Sequence, residues 1–412
     1  MKNKLLCIVL SFVFAMSAFS FVACSPREEV LRIYNWGDYI DESLLDEFET
    51  WYEEQTGNPI TVEYDTFETN EDMIMRIEVL ESDYDLVCPS DYMAERMIKA
   101  GLAQKIDRSI FDMTDDFMYD GLAEMVEPFD PGNEYFVPYC WGTVGIMYDT
   151  NYIEPGSEKM KSWSAMWSSE YNKKILLKDS VRDAYSIAQI YLNSDKLSEL
   201  SGGFTDYNDE YKTELKKYFS VINMDMVKAA QNALVAQKRV LYKYEVDAGK
   251  EDMLAGTTQG QLGLFWSCDS GLIMIEEAGD HFYYEVPKEG SNVWVDGWII
   301  PKYAGNVTAA NYFLKFINLY DDEYDFAMVN FDYMGTSMSN KAVMEDVRAA
   351  LEEDDGTDED SLFYGKEPWF KDMYLEMTFP SEETLARCAV MRDFGKRWST
   401  ELDSMWIDVK TL

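Results

Sequence analysis

The sequence predicts an α/β fold built on a mostly parallel sheet, and three observations predict it. Strand-length apolar runs alternate with helix-period segments through the first hundred residues, in the order βαβαβα. Gly57 and Gly101 stand where two of the helical patterns stop. The chain has 412 residues, enough for two domains with sizeable cores.

Val30-Leu31-Arg32-Ile33-Tyr34 has the character of a strand. From Asp41 to Gln55, Leu44, Leu45, Phe48, Trp51 and Tyr52 fall on one helical face. Pro59 to Tyr64 returns as a strand. A helix over Asn70 to Leu80 places Met73, Ile74, Ile77 and Leu80 together, and Tyr84 to Cys88 follows as a buried strand. Tyr92 to Lys99 is helical. Further strands are predicted at Lys174 to Leu177, Gln261 to Phe265 and Trp298 to Ile300, with helices at Ala309 to Leu319 and near the C-terminus. Pro287 to Gly290 reads as a turn.

Ahead of this pattern lie Lys2 and Lys4, an apolar run from Leu5 to Met16, and Phe21-Val22-Ala23-Cys24. That order predicts a secretory signal over residues 1–23 and a lipoprotein-type cleavage that leaves Cys24 acylated on a short tether, 24–29. A membrane anchor and an extracytoplasmic, periplasmic or cell-surface, location are therefore expected. No other segment has the roughly 20 apolar residues that a spanning helix needs.

The 77 acidic residues against 36 basic ones give a formal net charge of −41. Such a chain repels nucleic acid and anionic lipid, which are held by Lys and Arg, and tolerates cationic ligands. Cys88, Cys140, Cys268 and Cys388 lie far apart without a CxxC pair, so free thiols are expected. His281 is the only histidine, which excludes zinc-hydrolase motifs, Cys/His metal clusters and His-activated nucleophiles. Neither a phosphate-binding loop nor a dinucleotide fingerprint is present, so no catalytic residue, metal or cofactor is expected.

In open parallel sheets, ligands collect beyond the carboxyl ends of the strands. The residues there repeat one theme. Trp36, Asp38 and Tyr39 follow the first strand, and Ser90, Asp91 and Tyr92 follow Cys88-Pro89. Asp179 and Asp183 follow Leu177, with Lys178 and Arg182 interleaved. Trp266 and Asp269 follow Phe265, and Trp294 and Asp296 precede Gly297. Acids are so frequent here that a nearby Trp and Asp mean little alone; their placement at strand ends is what carries weight.

At these residues the chain resembles the bacterial spermidine/putrescine substrate-binding proteins of ABC importers. The matching stretches are Tyr34-Asn35-Trp36-Gly37-Asp38-Tyr39, Tyr84 to Tyr92, Val137-Pro138-Tyr139-Cys140-Trp141-Gly142, Trp266-Ser267-Cys268-Asp269, Trp294-Val295-Asp296 and Phe331-Asp332-Tyr333, in family order. The resemblance implies a type II periplasmic-binding-protein fold. Residues 30–140 with about 296–336 would form one lobe, and about 141–295 with 337–412 the other, joined by crossings near Trp141 to Thr143 and near Asp296. It implies capture of a polyamine, putrescine or spermidine, by a monomer that delivers it to the permease and ATPase subunits of an importer, with no chemistry done on the ligand.

Carried over by position, Trp36, Tyr39 and Ser90, with Asp38, would line one side of the cleft beside Tyr92. Trp266 and Trp294 would be aromatic walls, and Tyr333 would close the box. Asp183, Asp269 and Asp296 would hold charged nitrogens; the Trp-x-x-Asp context of Asp269 is similar to the putrescine-preferring branch. Three departures bear on spermidine more than on polyamine binding. Ser180 stands where spermidine-type members carry a further acid, Asp183 is a carbon shorter than the usual Glu, and Met391 replaces a family Gln. The acidic run 352–360 has no family counterpart and reads as a solvated surface insertion.

Those residue types suit a polyamine, a flexible alkyl chain with two or more ammonium groups. Aromatic faces bury CH₂ groups, about 0.8 kcal/mol each, and attract ammonium groups by roughly 0.5 to 2 kcal/mol. Carboxylates supply the remaining compensation, and a buried acid without its cation is costly. Two other readings stay open at this level: a binding protein for another small cation, and an extracellular glycoside hydrolase with paired carboxylates.

Overall fold

The computed structural model describes residues 29–113, 117–245, 248–276 and 279–412. The signal segment and Cys24 lie outside them. Eleven strands occur among the described residues: β1 (Glu29–Trp36), β2 (Ile60–Phe67), β3 (Leu86–Val87), β4 (Ala103–Gln104), β5 (Phe136–Asp149), β6 (Ile175–Lys178), β7 (Leu241–Glu245), β8 (Leu262–Trp266), β9 (Phe282–Glu285), β10 (Ser291–Pro301) and β11 (Cys388–Ala389). The main path runs β2-β1-β3-β10-β5-β8-β6-β7. Its two ends are parallel, β2-β1-β3 on one side and β8-β6-β7 on the other. Between them, β10 and β5 run antiparallel to each other and to their outer neighbours.

The first hundred residues fold as the pattern predicts. The helix Ser43–Thr56 buries the five anticipated side chains, and Gly57 ends it in the left-handed region, φ 74°, with its N–H on Glu53 O. The helix Asn70–Glu78 is capped by the Thr69 hydroxyl and buries Met73, Ile74 and Ile77. Leu80 departs from that face. It lies beyond the helix end and is 65% exposed, because the chain turns away through Glu81, φ 50°.

The long central strands differ most from expectation. All fourteen residues of β5 and all eleven of β10 are buried. A strand covered on both faces shows no alternation, and Pro138 argues against a central strand, so the sequence does not announce β5. The structure accommodates Pro138 with a bulge. The pairing shifts between Asp296 and Gly297, the Gly297 N–H bonds Pro89 O instead, and the Tyr139 carbonyl turns to Ser339 N–H. Trp294 and Asp296 therefore sit inside β10 rather than ahead of it. The turn at Pro287 to Gly290 is present, with Gly290 at φ 113° and its N–H on Pro287 O. Most of the 352–360 run is exposed, as its charge requires.

Candidate functional site

A cleft of about 400 Å³ opens where β5 and β10 pass between the two parallel halves of the sheet. Ten of the eleven ligand-binding residues inferred from the sequence line it: Trp36, Asp38, Tyr39, Ser90, Tyr92, Asp183, Trp266, Asp269, Trp294 and Asp296. Tyr333 does not. It projects from the helix Phe326–Met334 with 41% of its surface exposed, and Met334 and Thr336 line the cleft instead.

The bulge at Tyr139 of β5, where the pairing with β10 shifts, lies beside Asp296. Asp296 Oδ2 accepts a 2.8 Å hydrogen bond from the Tyr39 hydroxyl, while Oδ1 is buried without a hydrogen-bond partner among the described residues. Burial raises the carboxyl to about 6; hydrogen bonds from Ser90 and Tyr39 oppose the rise, and the nearby Asp183 adds to it. Asn70 fixes the neighbouring loop. Its amide donates to Ser90 Oγ at 3.0 Å and to the Tyr92 hydroxyl at 3.1 Å, and its carbonyl accepts Ser90 N–H. Sequence reading missed Asn70, since a capped helix start explains an Asn there equally well. Asp91 is buried and turned onto backbone, accepting Tyr92 N–H and Val295 N–H, and so is a scaffold group.

On the opposite side, Asp183 occupies the first turn of the helix Val181–Leu192, and its Oδ2 accepts the Trp266 indole N–H at 3.1 Å. Burial raises its carboxyl too, against hydrogen bonds from Ser180 and Trp266 and the positive charges of Arg182 and Lys178. The preceding Arg182 is sandwiched, 4.3 Å from the Tyr92 ring centroid and 4.1 Å from that of Phe394, so one face of Tyr92 already carries a cation. Asp179 is taken by the C-terminal helix, accepting from Trp406 Nε1 and Lys410 Nζ.

Asp269 departs from expectation. Both its oxygens face lysines of this chain, Lys178 Nζ at 2.7 Å and Lys250 Nζ at 3.0 Å, so it is not an open seat for a ligand nitrogen. Burial alone would raise its carboxyl, yet the two lysines hold it below the usual carboxylate range. Lys178 also lies 3.3 Å from Glu245 Oε1 and 4.5 Å from the Trp266 ring centroid. Glu245 is the less compensated acid of the group: burial pushes it up to about 7 despite Lys178.

Trp294 is held by its indole N–H on Thr143 O, 3.2 Å, and lies flat over Gly142 of β5. A Cβ on Gly142 would come within 2.6 Å of Trp294 Cζ2 and would collide with Ser267 Oγ, which receives Thr143 N–H. Gly142→Ala is therefore expected to cost about 1–3 kcal/mol of stability as an overpacked core does. It should also shift the tryptophan fluorescence; an unchanged melting temperature and spectrum would show that the wall can move freely.

A family model described as bacterial extracellular solute-binding protein matches residues 44–348 of the chain. The spermidine/putrescine-binding periplasmic protein of Escherichia coli is 31% identical over 297 residues, covering 72% of this chain and 74% of that one. The putrescine-binding periplasmic protein SpuD of Pseudomonas aeruginosa is 27% identical over 384 residues, covering 91% and 93%. Among solved structures, a putative spermidine/putrescine ABC transporter from Listeria monocytogenes superposes with a TM-score of 0.68 at 26% identity, over 93% of this chain and 99% of that chain.

Proposed function

The chain belongs to the bacterial extracellular solute-binding proteins, and on that basis we propose that it captures a polyamine, putrescine or spermidine, and hands it to the permease and ATPase of an ABC importer. The observation that carries the reading is Asp296 Oδ1, a buried carboxylate oxygen without a hydrogen-bond partner among the described residues, in a cleft walled by Trp36, Trp266 and Trp294. An ammonium group is the partner that such an oxygen lacks, and an alkyl chain is what indole faces bury. Asp183 is the second anionic seat, with Tyr39, Ser90 and Tyr92 positioning the first-side groups and Asp38 at the exposed rim. The ligand undergoes no chemistry in this reading.

The two parallel halves of the sheet support the lobe division, 30–140 with about 296–336 and about 141–295 with 337–412. β5 and β10 would be the crossings about which the lobes close on the ligand. The chain would act as a monomer held to the membrane through acylated Cys24, and a mature N-terminal peptide lacking a lipid mass would remove the anchor from the proposal.

Calorimetric titration of ligand-free protein with putrescine and spermidine tests the function. One-to-one binding of at least one of them is expected. Binding of neither would overturn the reading.

A further inference from the structure

Lys178 and Lys250 are cations in a cleft that otherwise selects for cations, and both line it. Lys178 Nζ bridges Asp269 Oδ2 and Glu245 Oε1 while lying over the Trp266 ring, and Lys250 Nζ donates to Asp269 Oδ1. Lys178 is 1% exposed and Lys250 6%, so neither charge is a loose surface group. Both oxygens of Asp269 and one aromatic face at this end of the cleft thus already face a cation of the chain itself, and Glu245 shares one of these cations. The other acids differ: among the described residues Asp296 Oδ1 has neither a hydrogen-bond partner nor a lysine or arginine in ion-pair contact, and Asp183 is held by a neutral indole and a serine hydroxyl.

Resting on the polyamine reading above, we propose that Lys178 and Lys250 are a built-in substitute for a ligand ammonium, so that the cleft selects diamines over triamines. A diamine places its ammonium groups at Asp296 and Asp183. A third ammonium directed towards Asp269 meets two like charges in a desolvated site and finds both Asp269 oxygens already facing a lysine. Lys250 is the determinant open to test, because it comes from a separate helix, Ala248–Leu254, and lines the cleft. Lys178 lies deeper, at the end of β6, and supports both acids.

Titration calorimetry of wild type, Lys250→Met and the polar neutral Lys250→Gln with putrescine and spermidine decides the matter. Wild type should bind putrescine more tightly. Each Lys250 variant should raise the spermidine-to-putrescine affinity ratio at least tenfold, since Asp269 Oδ1 is then left for the third ammonium. Adding Asp269→Asn to Lys250→Met should return the ratio to the wild-type value. A ratio unchanged in both Lys250 variants, a double variant that keeps the gain, or a wild type that prefers spermidine tenfold would overturn the inference while leaving polyamine binding in place. Wild type binding neither amine would instead remove the underlying reading and the inference together.

Discussion

Asp296→Asn should weaken polyamine binding and, at the same time, stabilise the ligand-free protein. The cause is the same in both cases. The wild-type carboxyl is raised by burial to about 6, above its value near 3.9 in an unfolded chain. A carboxyl raised on folding takes up a proton more readily in the native state, so its ionisation costs stability once the pH rises above the unfolded value, and the full cost is present above pH about 6. A shift of about two units corresponds to roughly 3 kcal/mol, and Asn avoids it while keeping an acceptor for the Tyr39 hydroxyl.

Binding moves the other way, because the ammonium group needs the ionised form. Loss of a charge-assisted contact should reduce affinity by about 1.5–3 kcal/mol, on the order of 10- to 100-fold. In wild type, affinity should fall about tenfold between pH 7 and pH 5 as protons compete for Asp296. The variant should show a flatter profile. Thermal denaturation of the ligand-free proteins at pH 8 and calorimetry at both pH values are the measurements. A variant that is less stable than wild type would refute the burial penalty, and one that binds equally well would place Asp296 outside the ligand's reach.

Lys178→Met should destabilise the fold by about 3–5 kcal/mol at pH 8, the cost of leaving buried partners without their cation. The substitution keeps the apolar stem and removes only the charge. Asp269 would retain Lys250, 3.0 Å away, so the larger share falls on Glu245, which faces Lys178 at 3.3 Å. Glu245 is already raised to about 7, so in the folded protein it is protonated at pH 5 and largely charged at pH 8. The penalty should therefore shrink markedly at pH 5. Urea denaturation at the two pH values reads it, and a penalty equal at both, or below about 1 kcal/mol at pH 8, would show that water or rearrangement compensates the acids.

Much of the fold was legible because local signals agreed with the final structure. Leu44, Phe48 and Trp51 repeat at helical spacing and pack together, and Gly57 supplies the left-handed stop. The strands β6 and β8 are short apolar runs between helices. Strand β5 escaped notice because a strand buried on both faces has no period, and its proline is accommodated by a bulge at Tyr139 in its pairing with β10, a strand far along the chain.

The same division holds at the site. Trp36, Ser90, Asp183, Trp266, Trp294 and Asp296 were recognisable one by one, since each stands beside a strand that the sequence marks, and their types fix the chemistry of the cleft: apolar faces with carboxylates. Which carboxylates remain open was decided elsewhere. The parallel register of β6 with β8 sets the end of one strand, Lys178, beside the helix that follows the other, where Asp269 lies. Lys250 reaches the same acid from a third element. Pairing of this kind depends on distances across a sheet, a few ångströms between residues many positions apart, so the sequence determined what the cleft contains and the tertiary structure decided which of its charges are left for a ligand.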